Sequence, residues 1–205
     1  MNKLYRFLQI IVKPFYRLFY RARVIGLENE LPEGPCLICA NHISNHDIFL
    51  IAANLKRQIY FFAKKELFKN RLLAKILRWF GTVSVSRGIA DLHAITQSIA
   101  VLQDGKYIGI FPQGTRMPGK EPSVEDAKSG VGLMAYRAKS NVLPIYIKTK
   151  NNRIRLFRRV TVIVGKPIMF EDLGFTKGTM AEYNAAAKLI FEHILALGKE
   201  GENAD

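Results

Sequence analysis

The sequence predicts an α/β fold: a single domain with a mixed, largely parallel sheet flanked by helices, preceded by an N-terminal amphipathic helical segment that binds membranes. Three observations predict it. Short apolar runs of strand length alternate along the chain with stretches of helical periodicity. The run Cys36-Leu37-Ile38-Cys39-Ala40 reads as a buried strand, with a buried helix opening at Ile48-Phe49-Leu50-Ile51 soon after it. The chain has 205 residues, enough for one substantial core, and shows no internal repeat, low-complexity stretch or interdomain linker.

Residues 1–23 form the first unit. Leu4, Phe7, Leu8, Ile11, Phe15, Leu18 and Phe19 recur at helical spacing, with Lys3, Arg6, Lys13, Arg17, Arg21 and Arg23 among them. That mixture suits a helix lying in a membrane interface, although a terminal helix packed on its own domain uses the same pattern. Pro14 is expected to bend it or divide it in two. Charges interrupt the apolar run too early for a transmembrane span, and no small-residue cleavage site marks a signal peptide.

Residues 24–197 form the main domain. Strands are expected near 24–26, 36–40, 59–62, 82–86, 107–112, 142–147 and 160–164, and helices near 47–55, 65–79, 90–103, 127–139 and 179–197. Within 64–80, Leu67, Phe68, Leu72, Leu73, Ile76, Leu77, Trp79 and Phe80 alternate with six basic residues, which suits either a second membrane-facing patch or packing on the sheet. Pro144 inside an apolar strand argues for an edge or a bulge. Cys36 and Cys39 lie three apart in a strand and so face opposite ways, as two reduced, buried thiols rather than half of a zinc site. Residues 198–205 read as a frayed tail.

Net charge is +14, from 31 Lys and Arg against 17 Asp and Glu, which favours an anionic partner. Arg153, Arg155, Arg158 and Arg159 flank Phe157, yet no nucleic-acid motif accompanies them, and lipid is the expected partner rather than nucleic acid.

The chemistry concentrates in Asn41-His42-Ile43-Ser44-Asn45-His46-Asp47, a strand-to-helix loop of the kind that builds sites at the carboxyl end of a parallel sheet. Ser44 or Asn45 can cap the helix, and the macrodipole favours a carboxylate at Asp47 in its first turn. If the loop folds back, Asp47 accepts the proton of one His42 ring nitrogen and leaves the other basic. No nucleophile motif is present, which points to a base acting on a substrate hydroxyl. His42 and His46 also have metal-compatible spacing, but His93 and His193 lie in unrelated helical patterns.

Three later segments add anion-binding character. Residues 80–88 alternate like a strand and end on Arg87 beside Gly88; residues 107–116 run from a strand into a loop holding Gly114, Thr115 and Arg116; residues 142–147 carry Pro144.

In this order, these four blocks resemble the glycerolipid acyltransferase family that includes the lysophosphatidic acid acyltransferases, over residues 36–147. That family carries Asn-His-x4-Asp, a Gly-to-Arg block, Phe-Pro-Glu-Gly-Thr-Arg and a late Val-Pro-Ile block. The resemblance implies that His42 is the base and Asp47 orients it, while Arg87, Gly114, Thr115 and Arg116 hold the acceptor phosphate. Lys128, in a Lys-x-Gly pattern, is implied as a further anion contact, and Pro144 as part of the acyl-donor region. The implied reaction acylates 1-acyl-glycerol-3-phosphate from acyl-CoA or acyl carrier protein, with no metal or redox cofactor, at the cytoplasmic face of the cell membrane. Gln113 stands where the family has glutamate; it keeps an acceptor oxygen but loses the charge, which leaves the acceptor lipid open.

Overall fold

The computed structural model describes residues 3–64, 68–79, 81–85 and 92–200. Its strands are β1 (Arg23–Ile25), β2 (Cys36–Ala40), β3 (Ile59–Lys64), β4 (Thr82–Val85), β5 (Tyr107–Ile110), β6 (Asn141–Thr149) and β7 (Val160–Val164). The helices are α1 (Lys3–Phe19), α2 (His46–Ala52), α3 (Arg71–Trp79), α4 (Leu92–Gln103), α5 (Gly130–Ala138) and α6 (Met180–Glu200). The strands form one sheet in the order β1-β7-β6-β2-β5-β3-β4. Only the β6–β7 pair is antiparallel, so the expected largely parallel α/β sheet is present.

Alternation along the strands divides the core in two. Cys36, Ile38 and Ala40 of β2 join Leu143, Ile145 and Ile147 of β6 and Val160, Val162 and Val164 of β7 on the face covered by α1 and α2. Leu37 and Cys39 join Val142, Tyr146 and Ile163 on the opposite face, under α4, α5 and α6. The two cysteines are therefore free, buried and on opposite faces, as their spacing predicts. Burial pushes the Cys36 thiol up to about 12 and raises the Cys39 thiol well above its ordinary value, so neither is a reactive thiolate.

On the second face α5 and α6 cross closely at Gly132. A Cβ there would lie 2.2 Å from the Tyr183 carbonyl oxygen, a contact that only separation of the helices relieves. Gly132→Ala is expected to destabilise the fold by about 1–3 kcal/mol through this overpacking. Denaturant unfolding measures it, and an unchanged midpoint would show that the helices part freely.

Three details depart from expectation. α1 is one helix, not two, although it contains Pro14. Pro14 is exposed, so the Ile10 carbonyl that it leaves without a donor can meet water, while Tyr5 and Tyr16 on either side are buried and hold the helix down. α3 starts at Arg71, where the Asn70 side chain accepts from the Leu72 N–H at 3.0 Å and caps it, so residues 68–70 are not part of it, and residues 65–67 of the expected helix lie outside the described residues. Of the apolar residues in this segment, Leu72 is exposed; Leu67 and Phe80 lie outside the described residues.

Pro144 is not on an edge, because β6 lies between β2 and β7. The ring is accommodated where β7 ends. Between the pairs Val142–Ile168 and Ile145–Val164 the two chains have unequal lengths, a bulge-like irregularity, and Gly165 donates to the Pro144 carbonyl at 2.8 Å. A Cβ on Gly165 would come within 3.0 Å of the Pro144 ring, so glycine makes the room.

Candidate active site

β2 and β5 are adjacent and parallel in the middle of the sheet, so residues 41–45 and 111–117, which follow their carboxyl ends, come together at that end of the sheet. Asn41 continues the β2–β6 pairing with its side chain. Its Nδ2 donates to the Ile147 carbonyl at 3.2 Å and its Oδ1 accepts from the Ile147 N–H at 2.7 Å, with the residue fully buried. The chain then turns at His42 and re-enters regular structure at α2.

Asp47 in the first turn of α2 draws that loop closed. Its Oδ2 accepts from the Ile43 and Ser44 N–H groups, both at 2.8 Å, and lies 2.7 Å from His42 Nδ1. An oxygen already accepting two N–H bonds acts as acceptor toward the ring as well, so in the neutral imidazole it is Nδ1 that carries the hydrogen and Nε2 that has the lone pair. Asp47 is fully buried, whereas the His42 side chain is 15% exposed: one nitrogen is anchored inside and the ring reaches the surface. Ser44 Oγ accepts from the His46 N–H at 3.3 Å, helping to start the helix.

The second loop fixes His42 from the other side. The Phe111 ring stacks on the imidazole, with centroids 3.8 Å apart and planes 9° from parallel. Gln113 Oε1 accepts from the His42 N–H at 2.7 Å, and the Met117 N–H donates to the His42 carbonyl at 2.8 Å. Gln113 is 3% exposed, and its Nε2 donates to Met117 Sδ at 3.0 Å. The glutamine thus uses its acceptor oxygen on the loop backbone and its extra donor on a thioether. Gln113→Leu is expected to cost about 1–3 kcal/mol by leaving the His42 N–H unpaired, with Gln113→Glu losing less because it keeps the acceptor. Equal unfolding midpoints for the two variants would contradict this.

A cavity of about 330 Å³ opens beside His42, lined by Ile48, Phe61, Phe62, Gly109, Ile110, Phe111, Pro112, Gly114, Lys128, Gly130 and Val131. It is mostly apolar, with Lys128 the one charged residue among the lining groups. Gly109 is required inside it, since a Cβ there would lie 2.1 Å from the Phe61 ring. Gly114 adopts φ 68°, and a Cβ on it would sit 3.9 Å from Lys128 Cγ, so the lysine stem runs beside this turn.

Of the predicted site residues, His42, Asp47, Gly114 and Lys128 are brought together here. Thr115 and Arg116 are exposed on the same loop but do not line the cavity. Pro144 does not line it either, and Arg87 lies outside the described residues. Gly114 does not offer its N–H to a ligand, because that group donates to the Phe111 carbonyl at 2.9 Å. Phe111 and Met117 were not singled out by the sequence, since their contacts with His42 depend on β2 and β5 being neighbours.

The His42 and His46 rings have separate partners: His46 Nδ1 is 2.7 Å from the Tyr16 hydroxyl, whereas His42 Nδ1 meets Asp47. Burial pushes the Tyr16 phenol up to about 12, so it is the donor in that bond. Among the described residues no group of three His, Cys, Asp or Glu side chains is arranged to hold a metal ion. Tyr16 belongs to α1, which also grips the far end of α2: Gln9 Nε2 donates to the Ala52 and Leu55 carbonyls, both at 2.8 Å. α1 therefore holds the helix that carries Asp47 at both ends. No helix among the described residues is long and apolar enough to cross a membrane.

The chain is similar to known proteins. A family model described as Acyltransferase matches residues 21–148. The chain is 27% identical over 172 residues to the 1-acyl-sn-glycerol-3-phosphate acyltransferase of Bacillus subtilis, a match covering 82% of this chain and 84% of that protein. It is 34% identical over 102 residues to the lyso-ornithine lipid O-acyltransferase of Pseudomonas aeruginosa, covering 49% of this chain and 38% of that one. Its fold matches the crystal structure of the 1-acyl-sn-glycerophosphate (LPA) acyltransferase PlsC from Thermotoga maritima with a TM-score of 0.75 at 26% identity, over 96% of this chain and 79% of that chain.

Proposed function

The chain belongs to the acyltransferase family, and from that premise we propose that it moves a fatty acyl group from a thioester to the free hydroxyl of 1-acyl-glycerol-3-phosphate, giving phosphatidic acid for phospholipid synthesis. The observation that carries this reading is the His42–Asp47 pair, 2.7 Å apart, at the mouth of an apolar cavity. The names of the Bacillus subtilis and Thermotoga maritima relatives support the choice of acceptor.

In this reading His42 Nε2 takes the proton of the acceptor hydroxyl as its oxygen adds to the thioester carbonyl. The tetrahedral intermediate collapses, the carbon–sulfur bond breaks, and the thiolate leaves with the proton that His42 held. Gly114 has spent its N–H, so the Thr115 and Arg116 N–H groups are this loop's candidates for the oxyanion. Arg87, Thr115 and Arg116, with Lys128 at the cavity rim, hold the acceptor phosphate, which spends remote binding energy on orienting the hydroxyl. The apolar lining from Phe61 to Val131 suits the acyl chain. Pro144 is linked to the acyl donor by its sequence block alone. The donor is acyl-CoA or acyl carrier protein, and no metal or redox cofactor takes part.

The protein works from the cytoplasmic face of the cell membrane, on anionic lipid. Support comes from α1, whose Phe7, Ile10, Ile11 and Leu18 are all at least half exposed although the opposite side of the helix is buried. A second reading keeps the chemistry and changes the acceptor, favoured by Gln113 and by the lyso-ornithine lipid relative. Mass-spectrometric detection of product from a panel of lysolipids, offered with each donor, tests both. Phosphatidic acid as the main product supports the first reading, another acylated lipid the second, and no product from any pair would overturn acyl transfer.

A further inference from the structure

We propose that the hairpin between β6 and β7, residues 150–159, is a second membrane-binding element that meets an anionic lipid surface beside α1; the proposal rests on the interfacial reading of α1. The hairpin holds Lys150, Arg153, Arg155, Arg158 and Arg159 and no acidic residue. At its tip Leu156 is 52% and Phe157 61% exposed. Phe157 has φ 59°, a left-handed conformation that costs a bulky side chain energy and persists only where its surroundings fix it. Here the Phe157 N–H donates to the Phe19 carbonyl at 2.7 Å, and the rings of Phe157 and Phe19 lie 6.2 Å apart. Phe19 in turn lies 4.8 Å from Phe15, itself 44% exposed. The tip thus extends the exposed apolar stripe of α1, and the strain holds an aromatic ring outward.

Apolar side chains ringed by arginines match a bilayer surface, where the rings enter the headgroup boundary and the cations meet lipid phosphates. The hairpin is also bonded to the loop that carries Thr115 and Arg116. Gly119 N–H donates to the Asn152 carbonyl at 2.8 Å, and Asn152 Nδ2 donates to Glu121 Oε2 at 2.9 Å. Docking through the hairpin therefore sets the mouth of the site against the surface from which a lipid acceptor comes.

The test is Phe157→Cys labelled with a polarity-sensitive fluorophore; Cys36 and Cys39 are fully buried, so the label has one site. It is titrated with vesicles of phosphatidylglycerol and phosphatidylcholine, with phosphatidylcholine alone, and with RNA. In parallel, Leu156→Ser/Phe157→Ser and Phe7→Ser/Leu18→Ser are compared with the unaltered chain by vesicle flotation, and their folding is checked by thermal unfolding. The expected result is a blue shift with anionic vesicles and roughly tenfold weaker flotation for either pair. An unshifted label and full binding by the hairpin pair, with loss only in the α1 pair, would overturn the proposal and leave α1 as the anchor. Full binding by both pairs would overturn the α1 reading too. A shift with RNA and none with vesicles would assign the hairpin to nucleic acid and also overturn it. None of these readouts depends on turnover, so each stands whether or not acyl transfer is observed.

Discussion

His42→Ala is expected to lower kcat for acyl transfer by about 10²- to 10⁴-fold with little change in the KM for either substrate. The imidazole is the base in the proposed reaction, and the contacts that hold its loop run through other atoms. Gln113 bonds the His42 N–H, Met117 the carbonyl, and Asp47 the Ile43 and Ser44 N–H groups, all of which survive truncation to alanine. The loop should therefore keep its shape while losing its base. What the side chain does contribute to packing is its stack on Phe111, a loss that unfolding measurements on the same variant will size. Product formation by mass spectrometry, over a range of acceptor concentrations, separates kcat from KM. A variant that retains more than roughly a fifth of the rate would remove His42 from the chemistry, since base catalysis of this kind is worth far more.

The elements readable in the sequence are those whose side chains face one environment. β2 and β7 are buried on both faces, and the ends predicted for them coincide with those observed. In α3 the apolar pattern extends back past Asn70, whereas the helix begins only at the cap which that residue provides. The same division holds in the site. His42 and Asp47 were legible because five residues are enough to cross from a strand end to the first turn of the next helix, a local geometry. Gln113 reaches His42 across 71 residues, and Tyr16 reaches His46 across 30, so both contacts depend on which strands and helices are neighbours. The departure at Gln113 was visible as a missing charge; its pairing with Met117 was not, because a thioether as the acceptor of an amide donor has no sequence signature.

Asp47→Asn carries the second large effect and separates orientation from chemistry. The amide has nearly the shape of the carboxylate, but it offers one acceptor oxygen and a donor in place of the second oxygen. In the folded loop Oδ2 meets three N–H groups, from His42, Ile43 and Ser44, and no position at that oxygen suits an amide NH₂. If the amide oxygen keeps the two backbone bonds it still accepts from Nδ1, but the imidazole loses its anionic partner, and the imidazolium formed when His42 takes the proton is no longer stabilised. A loss of order 10²- to 10⁴-fold in kcat is expected, as for the orienting acid of a triad. The decisive comparison is the double variant. If Asp47 acts through His42 alone, His42→Ala/Asp47→Asn should be no slower than His42→Ala, because residues that work as one unit do not add. A double variant slower by the product of both single losses would instead give Asp47 its own part in the reaction. Unfolding midpoints guard the interpretation, since Asp47 also ties the loop backbone. If Asp47→Asn destabilises the fold yet turns over at the parent rate when folded, the carboxylate braces the loop and the base needs no orienting acid.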